Sequence, residues 1–123
     1  MSASASLPSG TVTFLFTDLE GSTKLWEQYP GAMKHALARH DEILRNAIEA
    51  HGGYVIKNTG DGFHAVFDTG VGGVAAALAA QQAVCNSPWD EIKPHSLRVR
   101  MALHTGALAR GTRSPHRRRI SST

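Results

Sequence analysis

The chain has one cysteine, Cys85, so no disulfide can form within it, in agreement with a reducing compartment. It has no apolar run long enough to cross a bilayer; the longest stretch lies around Val74–Ala80. Met1–Gly10 has neither a basic start nor an apolar centre and is no signal peptide. The seven histidines include no His-x-x-x-His pair, which argues against a zinc site. Gly21-Ser-Thr-Lys24 lacks the upstream glycine and the Gly-Lys-Ser order of a phosphate-binding P-loop. No internal repeat is present. Residues 110–123 carry five arginines and no Asp or Glu. Residues 1–109 carry eight Lys/Arg and ten Asp/Glu, so the +3 formal charge belongs to the tail. A basic nucleic-acid-binding face on the folded part is therefore not expected.

With 123 residues, 41% hydrophobic and 19% charged, the chain has the composition of one soluble globular domain, expected in the cytoplasm. Ser2–Gly10 reads as a loose leader and residues 110–123 as a disordered basic tail, with the domain over 11–109. The Arg117–Arg119 run reads as solvated.

Thr11–Thr17 is β-branched and aromatic and reads as a buried strand. Gly21-Ser22-Thr23 opens a helix, with Ser22 and Thr23 as its caps. Pro30 breaks or restarts that helix. From Ala32 to Ala50, Met33, Leu37, Leu44, Ala47 and Ile48 follow helical spacing, and Gly52-Gly53 ends it. Tyr54–Lys57 and Phe63–Phe67 read as a hairpin around Asn58-Thr-Gly-Asp-Gly62. Asp68 and Thr69 cap a further helix from Val71 to about Val84. Leu97–His104 alternates Leu97, Val99, Met101 and Leu103 against polar neighbours, the pattern of a half-buried strand. Met33, Trp26 and Phe67 read as core, and His40-Asp41 as surface chemistry.

The resulting order, β-α-β-β-α-β, is the α+β ferredoxin-like arrangement: an antiparallel sheet with helices on one face. In that topology the end of the first strand and the hairpin turn fall on one edge. Asp18 and Asp61 would then meet. Each is followed closely by glycine (Gly21, Gly62), which lets backbone or ligand approach. Taken singly, Asp18 reads as a turn or cap residue and Asp61-Gly62 as an ordinary hairpin turn. As a pair, the two carboxylates can hold divalent ions for phosphoryl chemistry.

Three segments, Phe16-Thr-Asp-Leu-Glu-Gly-Ser-Thr23, Lys57-Asn-Thr-Gly-Asp-Gly-Phe63 and Val99-Arg-Met-Ala-Leu-His-Thr-Gly106, together resemble the class III nucleotidyl cyclase catalytic domain. The motifs stand in family order, over about Val12 to Gly106. The resemblance implies conversion of ATP to cyclic AMP and pyrophosphate with two divalent ions, Mg or Mn. Asp18 and Asp61 would be the metal aspartates, with Leu19 lending a carbonyl. The Glu20-Gly21-Ser22-Thr23 turn would receive the triphosphate on backbone N–H groups. Arg100 is similar to an arginine on the β/γ-phosphates; on its alternating strand it reads equally as an exposed side chain. Lys57 is similar to a purine-contacting lysine, and points to adenine rather than guanine.

Family cyclases are head-to-tail dimers with composite sites, so the resemblance also implies a homodimer, or a heterodimer with a full-length cyclase. In the family, a strand hairpin and helix carrying a transition-state Asn and Arg follow the His-Thr-Gly motif. No Asn follows Asn86 here. The expectation is a fold lacking that C-terminal segment, with weak or no activity alone. The alternatives are a silent metal- and nucleotide-binding module that pairs with an intact cyclase, and a non-functional fragment.

Overall fold

A computed structural model describes residues 10–108. The expectations for the leader and the basic tail lie outside the described residues, apart from Gly10, which opens the first strand. The elements are β1 (Gly10–Leu19), α1 (Ser22–Gln28), α2 (Pro30–Ala50), β2 (Gly53–Asn58), β3 (Phe63–Phe67), α3 (Gly70–Asn86), a 3-10 turn (Asp90–Ile92) and β4 (Val99–Leu108). The four strands form one antiparallel sheet in the order β2-β3-β1-β4, the ferredoxin-like order.

The strand periodicity builds one core. Leu15 and Leu19 on β1 and Phe63, Ala65 and Phe67 on β3 are buried against α2 and α3, at Met33, Ala36, Leu44, Ile48, Ala76, Ala80 and Val84. The intervening β1 residue Phe16 faces the opposite side and is 38% exposed. Thr69 caps α3 as expected, its hydroxyl oxygen accepting from Gly72 N–H at 3.0 Å. The indole N–H of buried Trp89 donates to the Val84 carbonyl at 3.0 Å and ties the following loop to the end of α3.

Several local readings change. Ser22 and Thr23 do not cap α1. Gly21 occupies the cap position in the left-handed region (φ 66°), without a side-chain hydrogen bond, and the Ser22 hydroxyl is spent elsewhere. His40 is not at the surface but fully buried, because it falls within the stripe Met33, Ala36, His40, Leu44, Ala47 that α2 turns to the core. Trp26 is half-buried, packed against the edge of the core, and also lines a cavity. Leu97 is buried ahead of β4, which starts at Val99 and runs four residues past His104. Leu103 is 41% exposed, with one methyl against α3 where Gly73 leaves room. The β2–β3 pairing is interrupted by a bulge between Val55 and Lys57.

Candidate active site

The turn between β2 and β3 is folded tightly onto the end of β1. Asn58 Oδ1 accepts from Gly60 N–H at 2.9 Å, and Gly60 (φ 101°) takes a conformation that favours glycine. Three contacts then fasten the turn. Leu19 N–H donates to the Asp61 carbonyl at 3.1 Å. Phe63 N–H donates to the Thr17 hydroxyl oxygen at 3.0 Å. Gly62 lies against the Thr17 backbone with no space for a side chain. Asp61 is thereby carried to Asp18.

Asp18 and Asp61 line one open cavity of about 490 Å³, together with Phe16, Thr17, Thr59, His64, Arg100, Met101 and Ala102. On its β4 wall, Arg100 stands directly across from Asp18 in the strand register. Its Nε and Nη2 donate to Asp18 Oδ1 and Oδ2, both at 2.9 Å. This hydrogen-bonded pair raises the Arg100 pKa, with the Asp18 charge and then the Glu20 and Asp61 charges adding to it. On the β3 wall His64 meets the Phe16 ring edge-on, 5.0 Å between centroids. Its pKa is lowered, first by partial burial and then by the Lys57 charge.

A second cavity of about 530 Å³ shares Thr59 and Asp61 with the first and adds Ser22, Thr23, Trp26, Glu27, Leu37 and Gly60. Across it the Ser22 hydroxyl donates to Asp61 Oδ2 at 3.0 Å. Beneath the turn, His40 packs near the Phe63 ring, 6.1 Å between centroids. His40 Nδ1 is paired with Asp41 Oδ1 at 2.8 Å, and its Nε2 has no partner among the described residues. Burial lowers its pKa, against the opposing pull of Asp41 and a weaker one from Asp61.

The structure thus brings Asp18, Asp61 and Arg100 together, and joins Ser22 and Thr23 to Asp61. Glu20 and Gly21 line a separate hollow with Lys24 and Arg98. Leu19 is buried, and its backbone N–H holds the Asp61 turn. Lys57 is exposed on β2, opposite His64, and outside the cavity of the two aspartates. Phe16, Thr17, Thr59 and His64 are site residues that the sequence reading left out. The alternation of β1 was the available signal for Phe16; nothing local marked Thr17, which acts through a residue far along the chain.

The donor set suits a hard divalent ion. Among the described residues no three or more His, Cys, Asp or Glu side chains gather to enclose a metal. Two carboxylates on an open cavity match an ion such as Mg, which keeps water and takes phosphate oxygens as its remaining ligands.

The fold is that of a cyclase catalytic domain. The family model described as the adenylate and guanylate cyclase catalytic domain matches residues 5–121, beyond the three motifs at both ends. The chain belongs to that family. It is 33% identical over 103 residues to an adenylate cyclase of Schizosaccharomyces pombe, a match covering 84% of this chain and 6% of that protein. It is 37% identical over 84 residues to an adenylate cyclase of Lachancea kluyveri, covering 68% of this chain and 5% of that one. Among solved structures, an adenylate cyclase of Trypanosoma brucei in its monomeric state superposes with a TM-score of 0.75 at 26% identity, covering 85% of this chain and 60% of that one. The chain therefore spans a small part of these curated relatives and under two thirds of that domain structure. Among the described residues no helix is long and apolar enough to cross a membrane.

Proposed function

We propose that this chain provides the metal- and phosphate-binding half of an adenylate cyclase site, forming cyclic AMP and pyrophosphate from ATP. The observation that carries the reading is the convergence of Asp18, Asp61 and Arg100 on one cavity. The 3′-hydroxyl oxygen of ATP would bond to the α-phosphorus as the bond to pyrophosphate breaks, with the hydroxyl proton released. Asp18 and Asp61, with the Leu19 carbonyl, would hold two Mg or Mn ions, whose chemistry is to acidify that hydroxyl and neutralise the phosphates.

The chain's own groups do the rest by position and charge. Backbone N–H groups of the Glu20–Thr23 turn and the Arg100 guanidinium receive the phosphates. The Ser22 hydroxyl holds Asp61 in place from the neighbouring cavity. Lys57 meets the purine. Its exposed position outside the aspartate cavity fits a site completed between two chains, in which Lys57 of one serves the aspartates of the other. The exposed Phe16 and its stacked neighbour Phe14 offer a face for such a second chain.

The test is complementation. The purified chain is mixed with a full-length adenylate cyclase whose two metal aspartates are both replaced by Ala, and cyclic AMP is measured with Mn and ATP. Turnover in the mixture above that of either component supports the reading. Failure of the mixture, together with failure of the chain to bind Mn and ATP, overturns it.

A further inference from the structure

Arg100 does not stand free beside the aspartates. It is paired with one of them. Both Asp18 carboxylate oxygens accept from a single guanidinium, at 2.9 Å each, across a register that sets the two residues directly opposite. Side-on pairing of this kind satisfies a carboxylate in the way a bound cation does, and it is the stronger form of an ion pair. Asp61 has no such cation. Its only side-chain hydrogen bond among the described residues comes from the neutral Ser22 hydroxyl. The two aspartates of one cavity are therefore unequally paired.

We propose that Arg100 is a tethered counter-cation at Asp18: it competes with a divalent ion for that carboxylate until nucleotide phosphates draw the guanidinium away. The inference rests on the reading of Asp18 as a metal ligand. A divalent ion approaching Asp18 meets an aspartate already neutralised and a positive charge next to it. A triphosphate changes the balance, because it offers the guanidinium another bidentate oxyanion partner. Ion binding at Asp18 and nucleotide binding then become coupled. By linkage, each must strengthen the other. Both partners of the pair are about half exposed, with side-chain exposures of 64% for Arg100 and 47% for Asp18. Exchange of partners therefore needs no rearrangement of the core. The same exposure limits the competition to about three- to fivefold, the upper part of the range for exposed pairs.

The experiment measures Mn(II) binding to the full chain by electron paramagnetic resonance of the free ion, without nucleotide and then with 3′-deoxy-ATP, which cannot cyclise. Four proteins are compared: wild type, Arg100→Gln, Arg98→Gln and Asp18→Asn. Arg98→Gln removes the same charge two residues away, from a side chain lining a different hollow. Without nucleotide, Arg100→Gln is expected to bind Mn about three- to fivefold more tightly than wild type, and Arg98→Gln to stay within about twofold. The nucleotide is expected to tighten Mn binding less in Arg100→Gln than in wild type. Equal or weaker Mn binding in Arg100→Gln, with Asp18→Asn still abolishing it, would overturn the competition and leave the metal site standing. Equal tightening in both arginine variants would reduce the effect to overall charge and also overturn it. Mn binding indifferent to Asp18→Asn would overturn the metal assignment and this inference together.

Discussion

Gly62 is pressed so closely onto Thr17 that a β-carbon at position 62 would sit 1.9 Å from the Thr17 carbonyl oxygen. That contact is backbone against backbone, so no side-chain rotation can relieve it. It is also the contact that sets the distance between the turn bearing Asp61 and the strand end bearing Asp18. Gly62→Ala should therefore force the turn away from β1. The expected cost is about 1–3 kcal/mol of stability, the usual range for overpacking a close contact. Mn and ATP binding should fall with it. A chemical denaturation curve and a Mn titration check both. A variant with wild-type stability and wild-type Mn affinity would show that the turn is not held this way.

Thr17 acts on the same turn through its side chain. Its hydroxyl oxygen is the acceptor for the buried Phe63 N–H. Thr17→Val keeps the shape and the β-branching but leaves that donor without a partner. A loss of about 1–3 kcal/mol is expected, the cost of an unsatisfied buried group. Thr17→Ser, which retains the oxygen, should recover most of it. Equal losses in the two variants would assign the effect to the methyl group instead.

The strands and helices were legible because β1 is β-branched and aromatic and α2 buries every third or fourth residue. The meeting of Asp18 with Asp61 followed from topology alone. What could not be read was register. Nothing local in the sequence states that Arg100 falls opposite Asp18 rather than opposite Phe16 or Glu20, because pairing depends on how β4 aligns with β1 over its whole length. His40 was misread for a different reason. The His40-Asp41 pair was read as surface chemistry for want of a companion His or Asp at suitable spacing, while the helical stripe through Met33, Ala36 and Leu44 required an inward side chain. Ser22 and Thr23 were read as caps from their type, but the left-handed Gly21 takes that position and leaves the Ser22 hydroxyl to Asp61.

Burial of His40 gives the fold a pH dependence. Its pKa is lowered from the ordinary 6.5, chiefly by burial, so the unfolded chain takes up a proton at that position before the folded chain does. Its contribution is fully present above about 6.5 and is lost as the pH falls through the folded value. Thermal melts should thus show a drop in Tm between about pH 7 and pH 5. His40→Gln should flatten that part of the profile even though it lowers Tm at pH 7. An unchanged slope in His40→Gln would assign the titration to another group.

The N-terminus of α3 offers a prediction remote from the site. Thr69→Ala removes the hydroxyl oxygen that receives Gly72 N–H. A loss of about 1 kcal/mol is expected. Mn affinity should be unchanged, because the cap lies outside the cavity that holds Asp18 and Asp61. A weakened Mn affinity would mean that α3 influences the aspartates in a way this packing does not provide for.

The most direct test of the account is Mn-dependent binding of ATP to the purified chain, compared between wild type and Asp61→Ala. Asp61 is joined to the fold through its backbone, by the Leu19 bond, and among the described residues its one side-chain hydrogen bond is from the Ser22 hydroxyl. The account predicts that Asp61→Ala keeps its circular dichroism spectrum and loses Mn-dependent ATP binding by tenfold or more, roughly the cost of removing one charged ligand. Unchanged affinity for ATP in the presence of Mn, in a variant that is still folded, would contradict it.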